Sequence, residues 1–300
     1  MKSLDKLSLG WRTDLIFPRF DGELLQRSDC LVVRTPHNPT FWWGNFLLFD
    51  HAPRAGDAAR WLAAFDAEIV RPQPQSRHLA FGIDASDAFE LPRDFVDAGL
   101  TLCASTVLTM RREQLRAPRA LAPGFSVRPL RLADESALAV DLEVACDEGA
   151  HEPQSYRVFR ERQIARYRAM HEAGLGEWFG VFAATPQGQL LVADCGLFHD
   201  GHSTAPLGRF QLVATHPAWR RRGLCTALVH AVCRHAFERM HLDSAVIVAD
   251  PDDVAIGIYE SLGFQRGAST WHLERRPPED APGETPARRA SARPHHAAAP

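Results

Sequence analysis

The stretch that decides the fold is a short basic loop between a predicted strand and a predicted helix, Thr215-His-Pro-Ala-Trp-Arg-Arg-Arg-Gly-Leu-Cys-Thr-Ala-Leu228. The first backbone N–H groups of a helix have no partner within the helix, and the helix dipole adds partial positive charge at the same end. Gly223 has no Cβ, so a ligand can approach its backbone closely. Three consecutive arginines, residues 220–222, would form a solvated patch by themselves, but before a helix-opening glycine they favour an anion-binding loop.

The hydrophobic pattern on either side of this loop predicts alternating strands and helices. Strands are expected over 125–130, 178–183, 189–198, 209–215 and 244–249 and through Trp271, and helices from Asp134 onward and over 155–172, 223–240 and 254–262. The first helix is expected to be capped by Asp134 and to bury Leu138, Leu142 and Ala145. The order β-α-α-β-β-β-α-β-α-β is typical of an α/β (α+β) fold with a mixed sheet and helices on both faces.

A second motif follows the loop, Asp252-x-x-Ala255-x-x-Ile258-Tyr259-Glu260-Ser-Leu-Gly263-Phe264. Together with Arg220-x-x-Gly223-x-Cys225 it resembles the two signatures of the GNAT superfamily of N-acetyltransferases, Q/R-x-x-G-x-G/A and N-x-x-A-x-x-L-Y-E-x-x-G-F. Two positions depart from these signatures. Cys225 stands where glycine or alanine is usual, and Asp252 stands where asparagine is common. The resemblance covers roughly residues 125–275, half of the chain.

The resemblance implies a GNAT acyl-CoA N-acyltransferase fold and acetyl-CoA as the co-substrate. Backbone amides of residues 213–215 would face the pantetheine arm, and residues 221–226 would hold the pyrophosphate. The residues expected to bind the donor are Val213, Ala214, Thr215, Arg220, Arg221, Arg222, Gly223, Leu224, Cys225, Thr226 and Asp252. Because transfer in this family is direct, Cys225 is expected to be a small spacer and no nucleophile.

Three residues are candidates for proton transfer. The resemblance implies that Tyr259 protonates the departing CoA thiolate, and a phenol suits this role because it keeps its proton at pH 7. The acceptor amine must lose a proton before it attacks. Asp250 and His216, which each follow a predicted strand, are the candidate bases, although polar residues at strand ends are as often structural.

The N-terminal half is a faint copy of the C-terminal half. Residues 79–84, Leu-Ala-Phe-Gly-Ile-Asp, parallel residues 245–250, and residues 95–100, Phe-Val-Asp-Ala-Gly-Leu, parallel residues 259–264. The anion-binding motif is missing from the first copy, and Phe95 replaces the tyrosine. These features predict a tandem protein whose first copy is a degenerate GNAT-like domain; chance similarity of two α/β halves is the alternative.

Composition changes predict the domain boundaries. A degenerate GNAT-like domain is expected over 1–116, a linker over 117–124, the GNAT domain over 125–275 and a disordered tail over 276–300. The tail contains His295-His296, which could bind a metal weakly or be solvated.

Charge and cysteine usage exclude several classes of protein. The balance of 34 basic and 37 acidic residues argues against a nucleic-acid binder. Six scattered cysteines predict no disulfides, and no segment is long and apolar enough for a signal peptide or a membrane span, so a cytoplasmic protein is expected. His230, Cys233 and His235 do not share a helix face, and no metal site is expected.

The predicted function is transfer of acetyl from acetyl-CoA to a primary amine of a small-molecule or peptide acceptor. Another donor, such as succinyl-CoA, is one alternative, and a non-catalytic CoA-binding sensor or interaction module is the other. A group of acidic residues could attract a cationic amine or form a solvated loop: Glu143, Asp147, Glu148 and Glu152. The sequence specifies neither the acceptor nor the oligomeric state.

Overall fold

A computed structural model of the chain describes residues 2–201 and 206–277. Most of the predicted tail, residues 278–300, lies outside the described residues. The described chain divides into two compact units. Unit 1 comprises residues 2–105 and 268–277, and unit 2 comprises residues 106–201 and 206–267.

Strands and helices alternate along both halves of the sequence. The strands are β1 (Glu23–Gln26), β2 (Cys30–Arg34), β3 (Phe46–Phe49), β4 (Leu79–Ile83), β5 (Thr101–Met110), β6 (Phe125–Pro129), β7 (Gly176–Thr185), β8 (Gly188–Phe198), β9 (Leu207–Thr215), β10 (Ser244–Ala249) and β11 (Gln265–Arg275). The helices are α1 (Leu9–Asp14), α2 (Ile16–Asp21), α3 (Ala58–Phe65), α4 (Arg93–Asp97), α5 (Leu132–Cys146), α6 (Pro153–Glu172), α7 (Leu224–Glu238) and α8 (Ala255–Leu262). From β6 to β11 the order of elements is the predicted one.

In unit 1 the strands run in the order β1-β2-β3-β4-β11. Only β3 and β4 are parallel neighbours; the other pairs are antiparallel. Large aromatic side chains fill the core, and Trp61 of α3 stacks on Phe49 of β3 with ring centroids 3.6 Å apart. The aromatic residues that precede β3, Phe41-Trp42-Trp43, pack in a second apolar cluster that includes Trp11 and Phe46.

In unit 2 the order is β5-β10-β9-β8-β7-β6, with β9 and β10 parallel and the other neighbours antiparallel. Successive side chains of a strand point to opposite faces. Accordingly, Trp178 and Phe198 pack on Tyr167 of α6, while Phe179 and Leu197 belong to the core that α7 and α8 cover. The mixed sheet with helices on both faces is confirmed.

Each half of the sequence contributes its last strand to the other unit. The C-terminal part of β5, Thr106–Met110, pairs with β10 in unit 2. Residues Trp271–Arg275 of β11 pair with β4 in unit 1. The boundaries between the compact units thus fall within β5 and β11. The predicted domain boundaries, on either side of the linker 117–124, divide the sequence into its two halves and stay a prediction.

Helix α5 differs from its prediction in its start and in its buried face. It begins at Leu132, so Asp134 is not its cap. Glu135 accepts the Arg131 N–H at 2.8 Å, and its paired contact with Arg128 holds the pKa of Glu135 at about 2. The buried face includes Glu135, Glu143 and the correctly predicted Leu142. The predicted members Leu138 and Ala145 are exposed.

Two further expectations can be compared with the described residues. All six cysteines are free thiols, as predicted. Within residues 2–201 and 206–277, no helix combines the length and the apolar character needed to cross a bilayer.

Candidate functional site

The candidate site begins where β9 separates from β10. The two strands pair only over Leu207–Arg209 and Ser244–Val246. Further along β9, Leu212 has a φ of +51°, and the pairing of β8 with β9 shifts register between Asp194 and Gly196. A bulge of this kind bends a strand and leaves backbone groups unpaired. A gap between the ends of β9 and β10 follows.

The register of β9 decides which amides face this gap. The His216 N–H donates to the Val192 carbonyl at 2.9 Å, and hydrogen bonding to β8 alternates along the strand. The Ala214 N–H therefore points to β8, and the N–H groups of Val213 and Thr215 point to the gap. Of the three amides predicted to face the ligand, the register directs that of Ala214 to β8 and leaves those of Val213 and Thr215 for a ligand; their contact with a ligand stays a prediction.

The loop after β9 presents a run of free backbone donors. Arg221 and Gly223 both have left-handed backbone conformations, with φ of +62° and +74°. Among the described residues, no acceptor is found for the backbone N–H groups of residues 221–226. The next residue, Ala227, makes the first helical hydrogen bond: its N–H donates to the Gly223 carbonyl at 3.1 Å. Six successive unpartnered amides at the start of a 15-residue helix are an arrangement that suits an anion.

The three arginines of the loop have different environments. Arg220 turns back: its Nε donates to the Thr215 carbonyl at 3.2 Å, and its guanidinium pairs with Glu148 at 2.8 Å. Arg222 lies over the ring of Trp219 at 4.8 Å, and both Arg221 and Arg222 are exposed. Arg220 thus closes the loop onto β9, and the other two supply the positive charge available to a ligand.

Tyr259 lies on α8 and is fully buried, yet its hydroxyl group has no hydrogen-bond partner in the described chain. Burial raises its pKa well above the usual value, and the nearby Cys225, Asp253 and Cys195 act in the same direction. Buried hydroxyl groups are nearly always hydrogen-bonded in native proteins. A protonated donor without an acceptor is the arrangement that a ligand atom would complete.

Cys225 is the second residue of α7, at the position where the sequence departs from the signature. Burial raises the pKa of its thiol to about 12. A thiol with such a pKa is not a nucleophile at neutral pH. This agrees with the prediction that Cys225 is a spacer.

The two predicted bases have structural tasks. The Asp250 carboxylate accepts the Asp252 N–H at 2.9 Å and so closes the turn after β10. The His216 Nδ1 accepts the Ala218 N–H at 3.2 Å, which engages the lone pair of that nitrogen. Asp252 itself is exposed. A role of Asp250 or His216 as the base stays a prediction.

A buried polar cluster that was not predicted from the sequence lies on the face of the unit 2 sheet that α5 and α6 cover. Asp194 of β8 accepts the Trp178 Nε1–H at 2.9 Å, and Glu143 of α5 lies 3.3 Å from Arg160 of α6. Asp194 Oδ1 and Glu143 Oε1 have no hydrogen-bond partner among the described residues. Burial raises the pKa of both carboxyls, and the charge of Glu143 raises that of Asp194 further.

The cluster lies one strand away from the gap. Asp194 lies opposite Ala214 in the pairing of β8 with β9. Glu143 is 4% exposed, so the interpretation of this acidic group as a solvated loop is wrong for Glu143. The signal was present in the sequence, because Asp194 interrupts the apolar run of β8 and aspartate is rare inside strands.

The equivalent junction in unit 1 is closed by the protein itself. One carboxylate oxygen of Asp94 accepts the N–H groups of Gly56 and Ala58 at 3.0 and 3.1 Å. Asp57 similarly accepts the Arg54 N–H at 3.0 Å. The amides of Gly56 and Ala58, at the entry to α3, are therefore occupied by one carboxylate.

Comparison with known proteins supports the assignment of the fold. Residues 139–264 match the family model of the acetyltransferase (GNAT) family. No curated protein sequence matches the chain.

Three solved structures resemble the chain over most of its length. A functionally unknown conserved protein from Staphylococcus epidermidis is 15% identical, with a TM-score of 0.62 over 85% of this chain and 94% of that one. A GCN5-related N-acetyltransferase from Kribbella flavida is 17% identical, with a TM-score of 0.60 over 89% and 94%. A tandem GNAT protein from the clavulanic acid biosynthesis pathway is 12% identical, with a TM-score of 0.54 over 91% and 93%. At these identities the likeness shows the fold alone.

Proposed function

We propose, from the match of residues 139–264 to the family model of the acetyltransferase (GNAT) family, that the chain transfers acetyl from acetyl-CoA to a primary amine. One observation carries the proposal. The run of six unpartnered amides, residues 221–226, includes Cys225, which lies near the buried Tyr259, whose hydroxyl group lacks an acceptor among the described residues. A diphosphate needs the first feature, and a departing thiolate needs the second.

The donor would be held by backbone groups and two cations. The pyrophosphate of CoA would accept hydrogen bonds from residues 221–226, with Arg221 and Arg222 adding charge. The free N–H groups of Val213 and Thr215 would pair with the amide-containing pantetheine arm, as one strand pairs with another. When bound, acetyl-CoA supplies an activated acetyl group as a thioester.

Tyr259 would act as the general acid. Its raised pKa keeps the phenol protonated at physiological pH, so a proton is available when negative charge develops on sulfur. The burial that raises the pKa also keeps water from the hydroxyl group. Tyr259, and not water, would therefore donate the proton to the sulfur.

Asp194, assisted by Glu143, would receive the proton of the acceptor amine. An amine reaches the enzyme mostly as an ammonium ion, and the cluster has two carboxylates for one guanidinium. An ammonium ion would balance the negative charge that the guanidinium leaves uncompensated. A carboxylate whose pKa is raised is also a stronger base than an ordinary carboxylate. We propose this role in place of Asp250 and His216, whose side chains hold turns.

The proton transfers balance in this scheme. The amine nitrogen forms a bond to the acetyl carbon while the bond from that carbon to sulfur breaks. An acceptor that arrives as an ammonium ion first releases one proton to water. Asp194 then takes one proton from the attacking amine nitrogen, and Tyr259 gives one to the sulfur. Exchange with water restores both residues after the products leave.

A screen for released thiol tests the proposal. The full chain is incubated with acetyl-CoA and with pools of simple amines, polyamines, aminoglycosides and peptides with free N-termini. The expected result is thiol release that depends on at least one pool, with an acetylated product detected by mass spectrometry. Binding of CoA without release of thiol in any pool would favour a non-catalytic CoA-binding module.

A further inference from the structure

We propose that Cys103, His272 and Glu274 of unit 1 form a binding site for a transition-metal ion, with Zn²⁺ as the best match. One potential ligand atom from each of these residues lies within 4.8 Å of the others. The site is independent of acyl transfer, because none of the three residues belongs to the loop, the tyrosine or the acidic cluster of unit 2.

The strands bring these side chains together. His272 and Glu274 are two residues apart on β11, so their side chains point to the same face of the sheet. Cys103 comes from the part of β5 that belongs to unit 1. The His272 imidazole is 2% exposed, and the ring of Trp43 meets it in a T-shaped contact at 4.6 Å, which restricts its orientation.

The charge of Glu274 supports a cation at this position. Its carboxyl is half-buried, and no hydrogen bond or ion pair to it is found in the described chain. A divalent ion bound by one thiolate and one carboxylate would be neutralised, which removes the cost of the buried charge.

The ligand types discriminate between metals. Thiolate and imidazole ligands favour Zn²⁺ over Mg²⁺ and Ca²⁺, which take oxygen ligands. Ligand atoms of a tetrahedral Zn²⁺ site lie roughly 3.3–3.8 Å apart, given bond lengths of about 2.0–2.3 Å. The present spacing therefore needs a contraction of about 1 Å, which rotation of the partly exposed Cys103 and Glu274 can supply.

Such an ion would hold β11 in unit 1. This strand comes from the end of the described sequence and pairs with β4 through Trp271–Arg275. A metal that binds β11 and β5 together binds only the folded unit, so it stabilises that unit against detachment of β11.

Metal content and the spectrum of a Co²⁺ derivative test the proposal. The full chain is loaded with Zn²⁺ or Co²⁺ and dialysed, and the bound metal is counted. We expect one retained ion per chain, a higher Tm, and a thiolate-to-Co²⁺ charge-transfer band. Cys103→Ser should abolish that band, and Glu274→Gln should keep it while weakening affinity at least tenfold.

Two matched controls make the result specific. Cys30→Ala removes another cysteine of unit 1, on β2, and should leave the band unchanged. A variant with His295→Ala and His296→Ala removes the histidine pair of the tail, and it should bind equally well. Failure to retain metal, a band that persists in Cys103→Ser, or loss of binding in the tail variant would each overturn the proposal.

Discussion

Asp94 accepts the backbone N–H of Ala58 at 3.1 Å, so helix α3 begins on a carboxylate supplied by the protein itself. The same oxygen accepts the Gly56 N–H. At the start of α7, by contrast, the amides of residues 221–226 have no acceptor in the described chain. In both halves a strand leads into a helix, but a carboxylate of the chain itself lies at the entry to α3, whereas the six amides before and within the first turn of α7 have no such partner among the described residues.

The first prediction is the stoichiometry of CoA binding. Because Asp94 occupies the amides of Gly56 and Ala58 at the entry to α3 and Phe95 lacks a hydroxyl group, we expect one CoA per chain by isothermal titration calorimetry. A pyrophosphate would also be repelled by the carboxylate of Asp94. Two equivalent sites would contradict the interpretation of unit 1 as a copy without a donor site.

The second prediction concerns Gly223. Acetyl-CoA should raise the Tm, since it binds only the folded protein. Gly223→Glu should abolish this shift, because the new carboxylate would lie among the amides meant for the pyrophosphate. Gly174→Glu is the matched control: its φ of +72° imposes the same backbone strain, and the space around both glycines is open. An unchanged ligand shift in Gly223→Glu would refute the anion-binding loop.

The third prediction separates catalysis from stability at Tyr259. Tyr259→Phe removes a buried hydroxyl group without a partner, so the free protein should be as stable or more stable. Affinity for CoA should hardly change, while kcat should fall on the order of 10²–10⁴-fold, as for a lost general acid. A clear loss of stability would mean that the hydroxyl group has a structural partner.

The fourth prediction is a pH dependence caused by Asp194. Its pKa is raised in the folded protein, so folding favours the protonated form. This contribution to stability is present at low pH and is lost as the pH rises from about 3.8 through the raised value. Asp194→Asn, which can still accept from Trp178, should remove that loss in denaturation experiments at several pH values.

The same substitution should remove the part of the pH–activity profile in which kcat/KM rises as a base loses its proton. The wild-type kcat/KM should rise with pH as Asp194 loses its proton, and Asp194→Asn should be slower by on the order of 10²–10⁴-fold without that rise. Asp134→Asn, on an exposed position of α5, is the control and should behave like the wild type. A preserved pH profile in Asp194→Asn would exclude Asp194 as the base.

Local patterns predicted the elements of the C-terminal half and the loop, because periodicity and the helix-opening Gly223 are local properties. The exchange of β5 and β11 was not predictable, since an apolar strand does not encode which neighbour it pairs with. The buried face of α5 was misassigned because Glu135 and Glu143 are buried beside Arg128 and Arg160. Hydrophobicity alone cannot anticipate burial that depends on distant ion pairs.

For the candidate site, too, the residues of contiguous motifs were predictable from the sequence, whereas the contacts between side chains were not. Tyr259 and the loop belong to contiguous motifs, and the structure gives them the expected free donors. The fold-back of Arg220 onto Thr215 and the turn-closing role of Asp250 depend on side-chain geometry that a motif does not specify. Asp194 was missed because its partners come from two other elements, Trp178 on β7 and Glu143 on α5.

The most direct test of the central claim is amine-dependent release of thiol from acetyl-CoA, measured for the wild type and for Tyr259→Phe with one acceptor found in the screen. The account predicts release that requires both the acceptor and acetyl-CoA, and a rate at least about 100-fold lower in the variant at saturating donor. Equal rates in the two proteins, or thiol release that does not depend on any amine, would contradict it.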